Sequence, residues 1–284
     1  MHTLPTEVHT SKYYYFNLIY LYRMKELKKY ALDLCVVAKE YPRDGYVLLK
    51  LKNADGQLPE MRAGQFVELL IAGSSETFLR RPISINYIDK EKDELWLLIH
   101  IVGNGTKYMS ELNEGDKINC VLPLGNGFSM PEVEGKKVLL VGGGVGTAPL
   151  LYYGKCLKEA GHVPAFLLGG RSAGDLMQLD LFEAIGAVYT TTEDATMGEK
   201  GFVTNHSILN KEQFDLIATC GPKPMMKAVA AWARTANCEC EVSLENMMAC
   251  GVGACLCCVE KDGEGHNVCV CKEGPVFNSK KLNW

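Results

Sequence analysis

Residues 136–161, KKVLLVGGGVGTAPLLYYGKCLKEAG, read as an apolar strand, a glycine-rich turn and an amphipathic run of helix length. The glycines permit close approach of backbone to a ligand, and the start of the following helix favours an anionic diphosphate. The stretch is not a complete dinucleotide fingerprint, because Pro149 stands where a third glycine would be and no acidic residue can be assigned to a ribose. VPAFLLGGRS (163–172), FDLIATCGPKP (214–224) and KAVAAWART (227–235) repeat the alternation of strand, loop and helix. Such alternation predicts a parallel sheet covered by helices, with ligands at the carboxyl edge, where Cys220-Gly221-Pro222 ends a strand. Arg171 lies where an adenosine ribose or its phosphate would be sensed.

Upstream the texture changes. YVLLKLK (46–52), QFVELLIAG (65–73), RRPISINYI (80–88) and ELWLLIHIV (94–102) are short alternating runs separated by NADGQ, DKEKD and NEGDK. They predict the antiparallel strands of a small barrel or sandwich. Residues 123–135, PLGNGFSMPEVEG, are rich in glycine and proline and form the natural linker. The expected organisation is α+β and multidomain. An N-terminal extension covers 1–23, a β-barrel 24–130, an α/β nucleotide-binding domain 131–240 and a small cysteine-rich subdomain 241–284.

Composition limits the function classes. The 284 residues carry a formal net charge of −4, with 47% hydrophobic and 23% charged residues, so no basic field marks a nucleic-acid binder. The tyrosine-rich run before Arg23 falls well short of the roughly 20 apolar residues that span a bilayer. It also lacks a basic start and a small-residue cleavage site, so neither a membrane anchor nor a signal peptide is expected. Residues 1–23 are read as an upstream extension outside the fold.

The tail MMACGVGACLCCVEKDGEGHNVCVC (247–271) holds six of the chain's 12 cysteines. The other six are scattered through apolar segments without a framework pattern. Together with the missing export signal, this points to a reducing, cytoplasmic setting and a ligand role for the tail. Adjacent Cys257 and Cys258 cannot readily join each other, which disfavours disulfides. Structural zinc wants two short-spaced pairs, but only Cys255 and Cys258 have two residues between them. Cys250, four residues, Cys255, two residues, Cys258 and a distant fourth cysteine match the plant-type spacing for a 2Fe-2S cluster. Gly251 and Gly253 let the backbone curl and aim N–H groups at the sulfurs. Spacing leaves Cys269 and Cys271 both open as the fourth ligand, and Cys257 reads as a passenger. His266 is a solvated loop residue on this reading, since a Rieske centre uses two histidines on one iron.

Two weaker signals precede the glycine turn. In Arg80-Arg81-Pro82-Ile83-Ser84, an arginine fork suits a pyrophosphate, and a hydroxyl three residues on suits the edge of a flavin ring. LLIHIVGNGT (97–106) adds a strand and a turn whose amides suit phosphate.

The order barrel, RPIS, GNGT, GGGVGTAP, CGPKPM resembles the ferredoxin-reductase superfamily of flavin and pyridine-nucleotide enzymes. With LRRPIS, MACGVGACLCCV and VCKEGPVF added, the chain from Met24 onward resembles the electron transfer subunits of NAD-dependent dihydroorotate dehydrogenase B. That resemblance implies FAD contacts from Arg81, Pro82, Ile83, Ser84, Leu98, Ile99, His100, Gly105 and Thr106. It implies NAD contacts from Gly142, Gly143, Gly144, Gly146, Thr147, Pro149, Cys220, Gly221 and Pro222. The family's last cluster ligand precedes an acidic Gly-Pro-Val-Phe stretch, which matches Cys271 and implies the 2Fe-2S set Cys250, Cys255, Cys258 and Cys271. A partner catalytic subunit bearing FMN, in a heterotetramer of two plus two, is implied as well, and no catalytic base is assigned to this chain. The rival resemblance is to the flavin and iron-sulfur subunit of NADP-dependent ferredoxin oxidoreductases or sulfide dehydrogenases. There an aspartate commonly replaces the first cluster cysteine, so Cys250 favours the dihydroorotate system.

Overall fold

The computed structural model describes residues 28–73 and 76–284, so the expectation for residues 1–23 lies outside the described residues. Strands β1 (Tyr30–Glu40), β2 (Tyr46–Asn53), β3 (Phe66–Leu69), β4 (Arg81–Ser84), β5 (Tyr87–Asp89), β6 (Glu94–His100) and β7 (Lys117–Leu124) make one antiparallel sheet. Their order is β4-β3-β7-β1-β2-β6-β5, so β4 and β5 remain ladder ends and the sheet is a half-barrel. Alternation along the strands turns Leu34, Val47, Leu49, Val67, Leu95 and Leu97 into its core. The GNGT segment, read from the sequence as a turn, is the first turn of helix α1 (Asn104–Glu111).

The second sheet contains β8 (Lys137–Gly143), β9 (Val163–Gly170), β10 (Ala187–Thr192), β11 (Glu199–Lys200), β12 (Leu216–Cys220) and β13 (Glu239–Ser243). These are parallel and ordered β11-β10-β9-β8-β12-β13. Helices α2 (Ala148–Glu159), α3 (Leu179–Glu183), α4 (Ile208–Lys211) and α5 (Lys223–Thr235) lie in the crossovers. Strand order reverses between β8 and β12, which leaves a crevice outside their carboxyl ends. The two glycine-bearing loops meet there. A Cβ on Gly146 would lie 2.5 Å from the Gly221 backbone, so the loops touch main chain to main chain.

The tail adds a hairpin, β14 (Val259–Lys261) with β15 (Asn267–Cys269), the short helix α6 (Val270–Glu273) and strand β16 (Val276–Asn278). A segment of this length carries no core of its own. The structure supplies one from outside: β16 pairs antiparallel with β13, and Met248, Val270, Phe277 and Leu282 pack in one cluster with Leu139 and Val141. The stretch read as a linker is a crossroads. Gln65 Nε2 donates to the Gly125 carbonyl (2.8 Å), Asn126 Nδ2 donates to the carbonyls of Lys272 (3.1 Å) and Glu273 (3.0 Å), and Tyr153 donates to that of Ser129 (2.6 Å).

Gly146→Ala should therefore force the two crevice loops apart. Overpacking of this kind costs about 1–3 kcal/mol, and chemical denaturation should report it as a fall in unfolding free energy.

Candidate functional site

Three sets of residues surround the junction between the half-barrel, the parallel sheet and the tail. In the first, the arginines of RRPIS divide their work. Arg80 is structural: its Nη2 donates to Asn119 Oδ1 (2.6 Å), and its Nη1 donates to the carbonyls of Glu68 (3.3 Å) and Asn119 (3.2 Å), tying β3 to β7. Arg81 lies across the start of α1, because a Cβ on Gly105 would sit 2.9 Å from Arg81 Cγ and Nε. RPIS and GNGT, some twenty residues apart in sequence, thus converge. A guanidinium beside the N-terminus of an eight-residue helix offers charge and free N–H groups to a pyrophosphate. Thr106 holds that helix start together, accepting from the Val102 (2.9 Å) and Gly103 (3.1 Å) amides and donating to the Gly103 carbonyl (3.0 Å).

Pro82, Ile83 and Ser84 are half-buried on the last strand of the sheet. Leu98 and Ile99 are 2% and 1% exposed, so their side chains belong to packing, and the backbone edge of β6 away from β2 is the one a ligand could reach. On that edge β5 covers β6 at Glu94–Trp96 alone. His100 stacks on Tyr46, with ring centroids 4.4 Å apart and planes 6° from parallel. These features fit a flavin laid along the open edge of the half-barrel.

In the second set, Gly142, Gly143, Gly146, Thr147 and Pro149 are buried, and Thr147 donates to the Gly144 carbonyl (3.0 Å). Gly144 has open space where a Cβ would be, and Val145 is half-exposed, so these two present the loop to a ligand. Across the crevice Cys220 and Gly221 are buried while Pro222 is exposed. Sequence reading missed Glu245. Its Oε1 accepts from Cys220 Sγ (3.7 Å), and it keeps solvent-exposed surface on the crevice wall. Loss of hydration raises its carboxyl above the ordinary range, and burial together with Glu245 raises the Cys220 thiol. Only the fold brings Glu245 to Cys220, since 25 residues separate them.

The third set is the tail. Gly251 and Gly253 have φ of +64° and +81°, which an L-residue adopts only under strain, and they curl the chain so that amides face sulfur. The Ala254 amide donates to Cys250 Sγ (3.3 Å), the Gly253 amide to Cys271 Sγ (3.1 Å) and the Cys271 amide to Cys258 Sγ (3.3 Å). All four thiols are free and group in two hydrogen-bonded pairs, Cys255 with Cys250 and Cys258 with Cys271. Among the described residues no three His, Cys, Asp or Glu side chains close on one point as a single metal ion requires. A 2Fe-2S cluster takes two thiolates on each iron, and the two pairs fit that set. Partial burial works against ionising Cys250, but the amides of Val252, Cys255 and Ala254 outweigh it and hold the thiol down to about 6. Burial, reinforced by Cys258, pushes Cys271 up to about 12, and binding of a metal through this sulfur would release its proton. Cys257 is exposed, and the Cys269 amide donates to Glu273 Oε1 (3.0 Å).

A second residue missed from sequence joins the RPIS strand to the tail. Glu68 on β3 is 1% exposed, pairs in register with Pro82, and lies beneath Gly251, where a Cβ would be 2.9 Å from its Oε1. That oxygen has no hydrogen-bond partner. Burial and the neighbouring Cys250 push the carboxyl up to about 7, against Arg80.

Comparison with known proteins adds the family. Residues 245–283 match the iron-sulfur cluster binding domain of dihydroorotate dehydrogenase B. The dihydroorotate dehydrogenase B (NAD(+)) electron transfer subunit of Caldanaerobacter subterraneus subsp. tengcongensis is 43% identical over 222 residues, 77% of this chain and 86% of the relative. Its counterpart in Shouchella clausii is 38% identical over 84% of this chain and 92% of the relative. The chain belongs to the dihydroorotate dehydrogenase B electron transfer subunit family. Among solved structures, a chain of an NADH-dependent reduced ferredoxin-NADP oxidoreductase superposes with a TM-score of 0.78 at 30% identity, covering 88% of this chain and 90% of that one.

Two outcomes follow. Cys271→Ser should abolish the iron-sulfur absorbance and iron content of the purified chain, while Cys269→Ser should keep both. Glu68 ionises more readily unfolded than folded, so its contribution to stability is full below its ordinary value of 4.5 and is lost as pH rises through about 7. Glu68→Gln should remove that loss, and melting temperatures of the two proteins should diverge in the variant's favour from about pH 5 to about pH 8.

Proposed function

We propose that this chain carries electrons from a dihydroorotate-oxidising, FMN-bearing catalytic subunit to NAD+, using a 2Fe-2S cluster and FAD, in de novo pyrimidine biosynthesis. The complex on this reading is a cytoplasmic heterotetramer of two copies of each subunit. Among the described residues no helix is long and apolar enough to cross a membrane. The observation that carries the reading is the place of β3. Pro82 of the RPIS strand faces Glu68 across one ladder, and Gly251 of the cysteine loop packs on the same Glu68. Flavin strand and cluster loop thus share a single strand between them.

FAD is the needed intermediary because nicotinamide exchanges two electrons as hydride whereas a 2Fe-2S cluster exchanges one at a time. The chain's own residues bind and orient. Arg81 and the start of α1 take the FAD pyrophosphate, Ser84 and the backbone of Leu98–His100 take the flavin, and Gly144, Val145 and Gly221-Pro222 admit the dinucleotide. Cys250, Cys255, Cys258 and Cys271 hold the cluster, with the amides of Gly253, Ala254 and Cys271 bonded to sulfur. Around them Met247 (79%), Leu256 (63%) and Val252 (44%) are exposed, an apolar rim suited to docking the catalytic subunit.

The likeness to the ferredoxin-NADP oxidoreductase chain makes a ferredoxin-linked role the alternative reading. Anaerobic co-purification with the FMN-bearing subunit separates the two. Dihydroorotate should bleach flavin and cluster absorbance, and NAD+ should restore it. Bands that stay unbleached with dihydroorotate but respond to NADPH or reduced ferredoxin would overturn the assignment.

A further inference from the structure

The contact between half-barrel and parallel sheet is mostly apolar. Tyr46, Leu48 and Leu98 from the barrel pack with Ala148 and Met177 from the other side, and Trp96 and Val145 lie against them. Apolar packing stabilises such a contact but is non-directional, so by itself it would tolerate sliding. At its rim Arg43 pairs with Asp175, and Lys155 Nζ lies 4.6 Å from the centre of the Tyr87 ring. At its centre is one buried polar unit.

Asn86 follows Ser84 by two residues and is 0% exposed. Its Nδ2 donates to the Ala148 carbonyl (3.0 Å) and to Gln178 Oε1 (3.1 Å), and its Oδ1 accepts from Gln178 Nε2 (3.1 Å). Ala148 directly follows the GGGVGT loop. One side chain therefore joins the end of the RPIS strand to the end of the glycine turn. Gln178 reaches it from a left-handed backbone, φ +56°, which a non-glycine residue holds only when its surroundings fix it. Hydrogen bonds are directional where the apolar contact is not, and a reciprocal amide pair closes in one register.

We propose that Asn86 and Gln178 are positioning residues that set the nicotinamide loop against the flavin strand, and so govern the rate of hydride exchange between NAD(H) and FAD. Neither residue touches the reacting atoms on this account; they act through β4 and the start of α2. The proposal rests on the reading of these two segments as the FAD and NAD sites.

The test is anaerobic stopped-flow mixing of the FAD- and cluster-loaded chain with NADH, following flavin bleaching and the long-wavelength charge-transfer absorbance of stacked nicotinamide and flavin. Asn86→Ala and Gln178→Ala should each slow flavin reduction at saturating NADH roughly tenfold to a hundredfold, the scale of an ångström of misplacement. The charge-transfer band should weaken, while NADH affinity, FAD content and the cluster spectrum hold close to wild type. The double variant should be little slower than either single one, because the two side chains act as a unit. Flavin reduction within about twofold of wild type in both single variants overturns the proposal, as does a loss confined to NADH affinity or a double variant as slow as the product of the singles. If neither single variant retains FAD, the clasp is structural and the proposal falls. A wild-type chain whose flavin NADH does not reduce would refute the site reading itself, and the clasp with it.

Discussion

The parallel ladder between β8 and β12, from Val138 opposite Leu216 to Gly142 opposite Cys220, is the constraint from which the rest of the molecule follows. Parallel strands end on the same edge, and this ladder is where the strand order reverses, so the loops leaving the two strands must share one crevice. At Gly146 they meet with no side chain between them, since a Cβ there would strike the backbone of Cys220 and Gly221. From that contact α2 runs back under the barrel through Ala148, and β13 extends the sheet far enough for β16 to bring in the tail. A wider separation of the two loops would move the RPIS strand, the crevice and the cysteine loop relative to one another.

Residues 123–135 hold the same relation from the other side. A flexible tether would leave three parts free to drift, but here polar groups of the tether bond in each direction. Gly125 is reached by Gln65 of the barrel, the Ser129 amide donates to Glu241 (3.0 Å) of the sheet, and Asn126 donates to the tail next to Cys271. Lys223 at the start of α5 reaches Glu260 on β14 (2.7 Å), so the crevice helix is fastened to the tail as well. Fixed distances between carriers are what an electron path needs, and these bonds hold barrel, sheet and tail in one arrangement.

What was legible in the sequence was what is local. The change from two-residue alternation to strand-loop-helix units marks where the half-barrel gives way to the parallel sheet, because each texture reports the period of its own element. The cysteine spacing was legible for the same reason: Cys250, Cys255 and Cys258 lie within one loop. The unread part is what distant segments do to one another. In QFVELL, alternation puts Phe66 and Glu68 on one face and Val67 and Leu69 on the other, which reads as solvent against core. Both faces are covered, that of Val67 and Leu69 by the half-barrel core and that of Phe66 and Glu68 by the tail, so Phe66 joins the tail's core and Glu68 is buried. Asn86 meets Gln178 across 92 residues, and Cys220 meets Glu245 across 25. Periodicity tells which residues share a face but not what covers it.

Two of the polar groups buried between these parts have opposite balances. Asn86 has both amide protons donated and its oxygen accepting, so its burial leaves no unmet hydrogen bond and contributes orientation. Glu68 Oε1 has no partner, and a buried carboxylate without one costs more than any neutral amide. The fold tolerates this where the RPIS strand and the cysteine loop both meet the same residue of β3. Arg80 is the nearest compensation, yet its guanidinium is already engaged by the Glu68 and Asn119 carbonyls and by Asn119 Oδ1. The carboxyl therefore stays protonated more readily than a surface glutamate, and Gly251 can approach it closely because no side chain stands on that loop position. The close approach of cysteine loop to RPIS strand and the unpartnered carboxyl of Glu68 are thus one feature, since relieving the second by moving the loop away would lengthen the first.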